Sequence, residues 1–156
     1  VEENITISAR RLWSKGGFIK PAREAETAEA QITRLRIRTP SRHQDIVNLS
    51  GGNQQKVILG RWLAEQGIRV LIMDEPTRGI DVGAKSEIYD LLYGLAEQGM
   101  TILVVSSELP EVMGICDRVL VMCQGRIRAG FTRDQFNEER LLAAALPDGQ
   151  ASQPAA

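Results

Sequence analysis

Apolar residues along this chain change their spacing several times, and each change predicts an element. Residues 2–13 read as helical, broken off by Gly16-Gly17 before Pro21, a residue suited to the first turn of a helix. The next helix carries Ala25, Ala28, Ile32 and Leu35 on one face and ends at Thr39-Pro40-Ser41; a polar loop then leads to Leu49-Ser50-Gly51-Gly52. Asn53 to Glu65 is helical again, with Ile58 and Trp62, and Leu59 and Leu63, at i,i+4 spacing. Beyond Gly67 the period disappears. Val70-Leu71-Ile72-Met73 is an uninterrupted apolar run, the pattern of a parallel strand buried on both faces, and it stops at Asp74-Glu75-Pro76.

Ile88, Leu91, Leu92 and Leu95 then mark an amphipathic helix ending near Gly99, and Thr101 to Val105 forms a second buried strand. Leu109, Val112, Met113 and Cys116 repeat the helical spacing. Arg118 to Met122 and Arg126 to Phe131, joined at Gln124-Gly125, predict a hairpin. Thr132 and Gln135 have the spacing of a capping box for a last helix to about Leu146, and the Gln/Ala/Ser/Pro-rich tail from Pro147 is expected to be disordered. Helices first, then alternating strands and helices, imply an α/β fold with a parallel-sheet core. In such sheets ligands gather at the carboxyl ends of the strands, where Asp74, Glu75, Ser106 and Ser107 fall.

Composition narrows the function without naming it. The 156 residues, 43% hydrophobic, suffice for one domain with a core, and no apolar run approaches the roughly 18 residues of a membrane-spanning helix. Cys116 and Cys123 lack the companions of a metal site and are expected to be buried reduced thiols. Residues 1–42 carry nine Lys/Arg against five acids, but no interleaved aromatics point to nucleic acid, and solvated helix faces account for the excess. His43, in a polar loop, is expected to be exposed; Trp13 and Trp62 fall at helix positions expected to pack in the core. Val1 is not an initiator Met, and the opening residues read as helix interior, so the chain is expected to begin mid-domain.

Two features carry chemistry. Adjacent carboxylates ending an apolar strand are costly to bury unless a cation or donors compensate, and a magnesium-phosphate group does so. The alternative is that Asp74 and Glu75 open a loop and cap the next helix. Upstream, Ser50-Gly51-Gly52 precedes a helix N-terminus, where free N–H groups, the positive dipole end and a hydroxyl form an anion site; the alternative is a plain Ser cap on a flexible turn.

Taken together, Leu49-Ser50-Gly51-Gly52-Asn53-Gln54-Gln55-Lys56, Val70 to Thr77 and Gly79-Ile80-Asp81 resemble the signature, acidic and D-loop motifs of ATP-binding cassette (ABC) ATPases. The resemblance covers essentially residues 1–146. It implies a partial P-loop NTPase-like domain: a helical subdomain portion over 1–48, and the signature helix with the C-terminal α/β core over 49–146. The spellings Asn53-Gln54-Gln55-Lys56, Glu75 to Lys85 and Ser106 to Glu111 are similar to the second cassette of bacterial monosaccharide importers for ribose, galactose, xylose and arabinose, and look closest to the arabinose member. The resemblance implies ATP and Mg²⁺ as cofactors, Glu75 as the catalytic residue, Asp74 as the metal ligand, and Ser50, Gly51, Gly52, Gln54, Asp81 and Ser107 as nucleotide-binding residues. It also implies a partner cassette, membrane permease subunits and, indirectly, a periplasmic sugar-binding protein, at the cytoplasmic face of the inner membrane.

Two departures stand out. The family's Gly-x-x-x-x-Gly-Lys-Ser/Thr loop is absent, since no Gly-Lys dipeptide occurs in the chain, so these residues alone are expected to be inactive. The family's switch histidine aligns with Ser107, which can donate a hydrogen bond but cannot carry positive charge near pH 7. A degenerate regulatory cassette and a non-transport ABC ATPase stay open as alternatives. Arg78, beside the D-loop motif, is open either to phosphate or to an acid.

Overall fold

A computed structural model describes residues 1–14, 19–65 and 67–147, in two compact units, Val1–Val105 and Ser106–Ala156. The expected break at Gly16-Gly17 and the tail beyond Pro147 lie outside the described residues.

In the first unit, α1 (Glu2–Thr6), α2 (Pro21–Arg34) and α3 (Gly51–Leu63) pack on one another. The single helix predicted over 2–13 is instead α1 followed by a 3-10 turn at Ala9–Leu12. Polar side chains account for the interruption: Thr6 Oγ1 reaches back to the Glu2 carbonyl and to Glu24 Oε1, and Ser8 Oγ donates to the Arg61 carbonyl of α3. The three helices converge at Gly60, where an added Cβ would lie 3.1 Å from Leu35 Cδ1 and 3.7 Å from Ile5 Cγ1. Gln31 is buried on α2 and donates to the Leu63 carbonyl, satisfying the end of α3.

α2 ends before the predicted Thr39-Pro40-Ser41 stop. The Ile37 N–H bonds to the Ile32 carbonyl and the Arg36 N–H to the Thr33 carbonyl, a Schellman motif with Arg36 in the left-handed region at φ 50°. α4 (Val82–Glu97) closes in the same way, with the predicted Gly99 at φ 88° and the Met100 N–H bonded to the Leu95 carbonyl.

β1 (Val70–Asp74) and β2 (Thr101–Val105) pair in parallel, joined through α4. The apolar runs predict burial on both faces of these strands, and the structure corrects this. Leu71 and Met73 are buried, but Ile72 is 66% exposed and Leu103 and Val105 stand half open. Ile88, Leu92 and Leu95 of α4 are buried, and only one face of the two-stranded sheet is covered within this unit. Trp62 and Ile58 are likewise exposed rather than core, because α3 turns Val57, Leu59 and Leu63 inward instead; Trp13 is half-buried.

The second unit holds α5 (Leu109–Ile115), the antiparallel hairpin β3 (Arg118–Cys123) and β4 (Arg126–Thr132), and α6 (Glu138–Ala145) laid on the hairpin. Gln124 and Gly125 both have positive φ, as a two-residue turn between twisted strands requires. The Thr132/Gln135 capping box forms, but on a 3-10 turn at Arg133–Gln135; Asn137 caps α6 by accepting the Arg140 N–H. Cys116 and Cys123 are free thiols and half-buried rather than buried, because both sit where an element ends.

Replacing the exposed Arg36 by glycine should raise stability by roughly 0.5–1 kcal/mol, since the left-handed conformation costs an L-residue about 1–2 kcal/mol and glycine returns part of that as backbone entropy. A denaturant titration showing lower stability for Arg36→Gly would refute this reading of the α2 terminus.

Candidate functional site

The N-termini of α3 and α4 meet, and Ser50, Gly51, Gly52 and Asp81, half of the site residues expected from the sequence, lie at that junction. α3 begins at Gly51, two residues earlier than its apolar pattern indicates, with Ser50 as the preceding residue. Its first intrahelical bond runs from the Gln54 N–H to the Ser50 carbonyl, so the amides of Gly51, Gly52 and Asn53 lie ahead of the helical ladder. Ser50 makes no side-chain cap bond. At α4, the Asp81 carboxylate accepts the Ala84 N–H at 3.0 Å.

Glycine at 52 answers to packing. A Cβ there would stand 2.6 Å from Ala84 Cβ, inside any permitted contact, so only glycine lets α3 approach α4 this closely. Gly51 would place its Cβ at an ordinary 3.9 Å from the Gly79 carbonyl. Arg38, Ser50, Gly52, Asn53, Asp81 and Glu87 line the hollow of about 220 Å³ left between the helix ends. That is below the roughly 300–1,000 Å³ of a pocket enclosing a whole small molecule, and it suits a phosphate group rather than a nucleotide.

Below the hollow, Lys56 is only 3% exposed; its Nζ lies 2.7 Å from Glu87 Oε2 and donates to the Arg36 carbonyl at 3.2 Å. Glu87 also pairs with Arg38 at 2.7 Å. The Lys56 hydrogen bond, with its charge and that of Arg38, holds the Glu87 carboxyl below the usual carboxylate range. Two acids therefore border the hollow, one spent on a helix cap and one neutralised by two cations, and the donors beside it are the first-turn amides of α3 and the Ser50 hydroxyl.

Other predicted residues lie elsewhere. Gln54 does not line the hollow; its amide turns back to the Leu49 carbonyl at 2.8 Å. Asp74 is exposed at the end of β1, and Glu75 is half-buried with its N–H continuing the ladder to the Val105 carbonyl. Neither acid is buried in the way that the end of an apolar strand suggests; this end of β1 is more open, because the sheet is covered on one face alone. Glu75 sits at φ 47° directly before Pro76, a strained conformation for a glutamate and one met at functional turns. Among the described residues no three metal-binding side chains cluster, so Asp74 offers a single carboxylate, the donor set of a Mg²⁺ that keeps water and phosphate as its other ligands. Ser107, in the second unit, is exposed one residue after Ser106, whose Oγ accepts the Glu108 N–H. Arg78 is exposed. His43 is exposed as expected, 3.7 Å from Glu2.

Sequence reasoning missed Arg38, Lys56 and Glu87. Lys56 was legible only as the last letter of a motif, and nothing in spacing announces that its ammonium is buried.

No protein-family model matches the chain. Over 152 residues, 97% of the chain, it is 68% identical to the "Arabinose import ATP-binding protein AraG" of Rhizobium meliloti (strain 1021), and it is 57% identical over 156 residues to that of Burkholderia lata. Its fold matches a nucleotide-free ATP-binding cassette from an ABC transporter with a TM-score of 0.76 at 20% identity, over 94% of this chain and 62% of that one. A dimeric bacterial ABC transporter cassette matches with a TM-score of 0.69 at 24% identity, over 86% and 56%. The chain has the fold of an ATP-binding cassette, and over nearly its whole length its sequence is similar to arabinose import ATP-binding proteins. It spans about 30% of the length of the curated relatives it matches. Leu49 to Lys56 and Gly79-Ile80-Asp81, the segments that resemble the signature and D-loop motifs, are the ones that the junction of α3 and α4 brings together.

Gly52→Ala should destabilise by about 1–3 kcal/mol, the usual cost of overpacking, and Ala84→Gly added to it should recover most of the loss; thermal melting checks both. A second expectation concerns acid. Because the folded carboxyl of Glu87 titrates below its unfolded value, the pair's contribution is complete above a pH of about 4.3 and is lost as pH falls through the lower, folded value. Stability measured against pH should lose part of its acid-side slope in Glu87→Gln, and an unchanged slope would show that the pair contributes nothing.

Proposed function

We propose that this chain is the signature-bearing part of the ATP-hydrolysing subunit of a bacterial monosaccharide importer, with arabinose or a related sugar as cargo. The observation that carries the proposal is the hollow at the α3–α4 junction, where Ser50, Gly52 and Asp81 converge in a chain 68% identical to arabinose import proteins. Its size supports contact with the end of a triphosphate whose remainder is gripped by another cassette, either in the same polypeptide or in a second subunit.

Bound Mg²⁺-ATP would bring an electrophilic phosphorus and a cation that offsets the charge on its oxygens. The residues of this chain do the rest. Ser50 and the amides of Gly51 and Gly52 donate to terminal phosphate oxygens of the partner's nucleotide. Asp74 serves as a magnesium ligand and Glu75 as the group that orients and deprotonates water, both for a nucleotide on this cassette's own side. Gln54, bonded to Leu49, steadies the turn that presents Ser50. Asp81, capping α4 at the rim of the hollow, lies where the two cassettes would meet. Ser107 stands in for the switch histidine as a neutral donor.

Among the described residues no helix is long and apolar enough to cross a membrane. On this reading the protein works at the cytoplasmic face of the inner membrane against permease subunits, supplied from outside by a sugar-binding protein. A non-transport role is disfavoured by the importer names of its relatives.

Ser107 favours one second reading, a cassette that holds nucleotide without turning it over. The full-length protein carrying Glu75→Gln decides between them. If this half is catalytic, ATP hydrolysis should fall by at least about half, because removing a general base costs its site roughly 10²–10⁴-fold. An undiminished rate assigns this half to regulation.

A further inference from the structure

The side-chain amide of Asn53, in the first turn of α3, is held at both ends. The Arg38 backbone N–H donates to Asn53 Oδ1 at 2.8 Å, and Asn53 Nδ2 donates to Ser50 Oγ at 2.9 Å. The first bond dictates the second. A backbone N–H can only donate, so the atom facing it has to be the amide oxygen, and the amide nitrogen is thereby turned toward Ser50. That nitrogen has hydrogens to give and no lone pair to offer. Ser50 Oγ must accept there, and its own hydrogen is left for a different acceptor.

Two consequences follow for the hollow. A serine ahead of a helix ordinarily spends its oxygen on the N–H of the second or third helical residue. Ser50 makes no such bond, so the first-turn amides of α3 stay available to an anion. Its hydroxyl accepts from Asn53 on one side, which leaves its hydrogen for an acceptor in the hollow that it lines. Arg38, which sets this orientation, is itself well anchored. It follows the Schellman end of α2, whose Arg36 carbonyl is bound by Lys56, and its guanidinium is paired with Glu87.

We infer that Asn53 is a positioning residue: latched by the main chain of Arg38, it donates to Ser50 Oγ and so turns the Ser50 hydrogen away from itself and toward a terminal phosphate. This rests on the phosphate reading of the hollow given above.

The test uses the full-length protein with its permease, measuring kcat for ATP hydrolysis together with thermal melting. A hydrogen bond to a charged group is worth about 1.5–3 kcal/mol, so Ser50→Ala should slow the site that it completes by roughly ten- to a hundredfold and lower total kcat by at least about half if both sites turn over. Asn53→Ala should lower it by a similar or smaller factor, and the double variant should be no slower than Ser50→Ala alone. Asn53→Asp guards against simple unfolding, since an acid in the first turn suits a helix N-terminus. Its carboxylate still accepts from Arg38 but draws the Ser50 proton to itself. Melting should hold or rise while kcat falls, and adding Ser50→Ala should cause no further loss. Multiplicative losses in either double variant, or wild-type hydrolysis by Asn53→Asp, would overturn the role of Asn53 and leave the phosphate site standing. Undiminished hydrolysis by Ser50→Ala would overturn the phosphate reading, and this inference with it.

Discussion

Lys56 is an ammonium group almost entirely removed from water, and the first unit is arranged around satisfying it. Its partners come from two other elements, Glu87 from α4 and the Arg36 carbonyl from the end of α2. An isolated buried charge would cost several kcal/mol, so α3 is held in register with both neighbours by the need to keep that charge paired. The same register places Gly52 against Ala84, where no side chain fits, and so sets the two helix N-termini edge to edge. The hollow is what remains between them. Ion pair, glycine contact and candidate phosphate site form one mechanical unit, and a change in any of them reaches the others.

The segment from Asp74 to Asp81 connects that unit with the end of the parallel strands. At one end stand the exposed Asp74 and the strained Glu75; at the other, Asp81 caps α4. Between them Pro76 and Thr77 are fully buried, which anchors the middle of the segment while both ends stay accessible. The acids that would act on one nucleotide and the donors that would hold another are thus separated, yet tied by a short stretch of chain with a fixed centre.

Much of this was legible in the sequence because it is local. The amphipathic period of Ile88, Leu92 and Leu95, the glycine closing α4, the Gln124-Gly125 hairpin and the order of elements all follow from contacts within a few residues, and all were found. The failures were of a different kind. Val70 to Met73 and Thr101 to Val105 read as strands buried on both faces, yet each exposes alternate residues, because an apolar run records the surroundings its strand is adapted to rather than those that these residues alone provide. Ile58 and Trp62 stay exposed because α3 turns Val57, Leu59 and Leu63 inward instead. Ser8 and Thr6, by bonding to carbonyls and to Glu24, interrupted a helix that periodicity carried straight through.

The sequence by itself determined the fold class and the identity of the chemical groups, since motif letters and apolar periods are local properties of the chain. Only the tertiary structure decided which of those groups meet. Ser50 and Asp81 share a hollow, Gln54 turns away from it, and Asn53 is latched by Arg38, because the packing of α2, α3 and α4 sets distances between residues far apart in sequence. A buried lysine cannot be recognised from its neighbours along the chain; its burial exists only once three elements have closed over it.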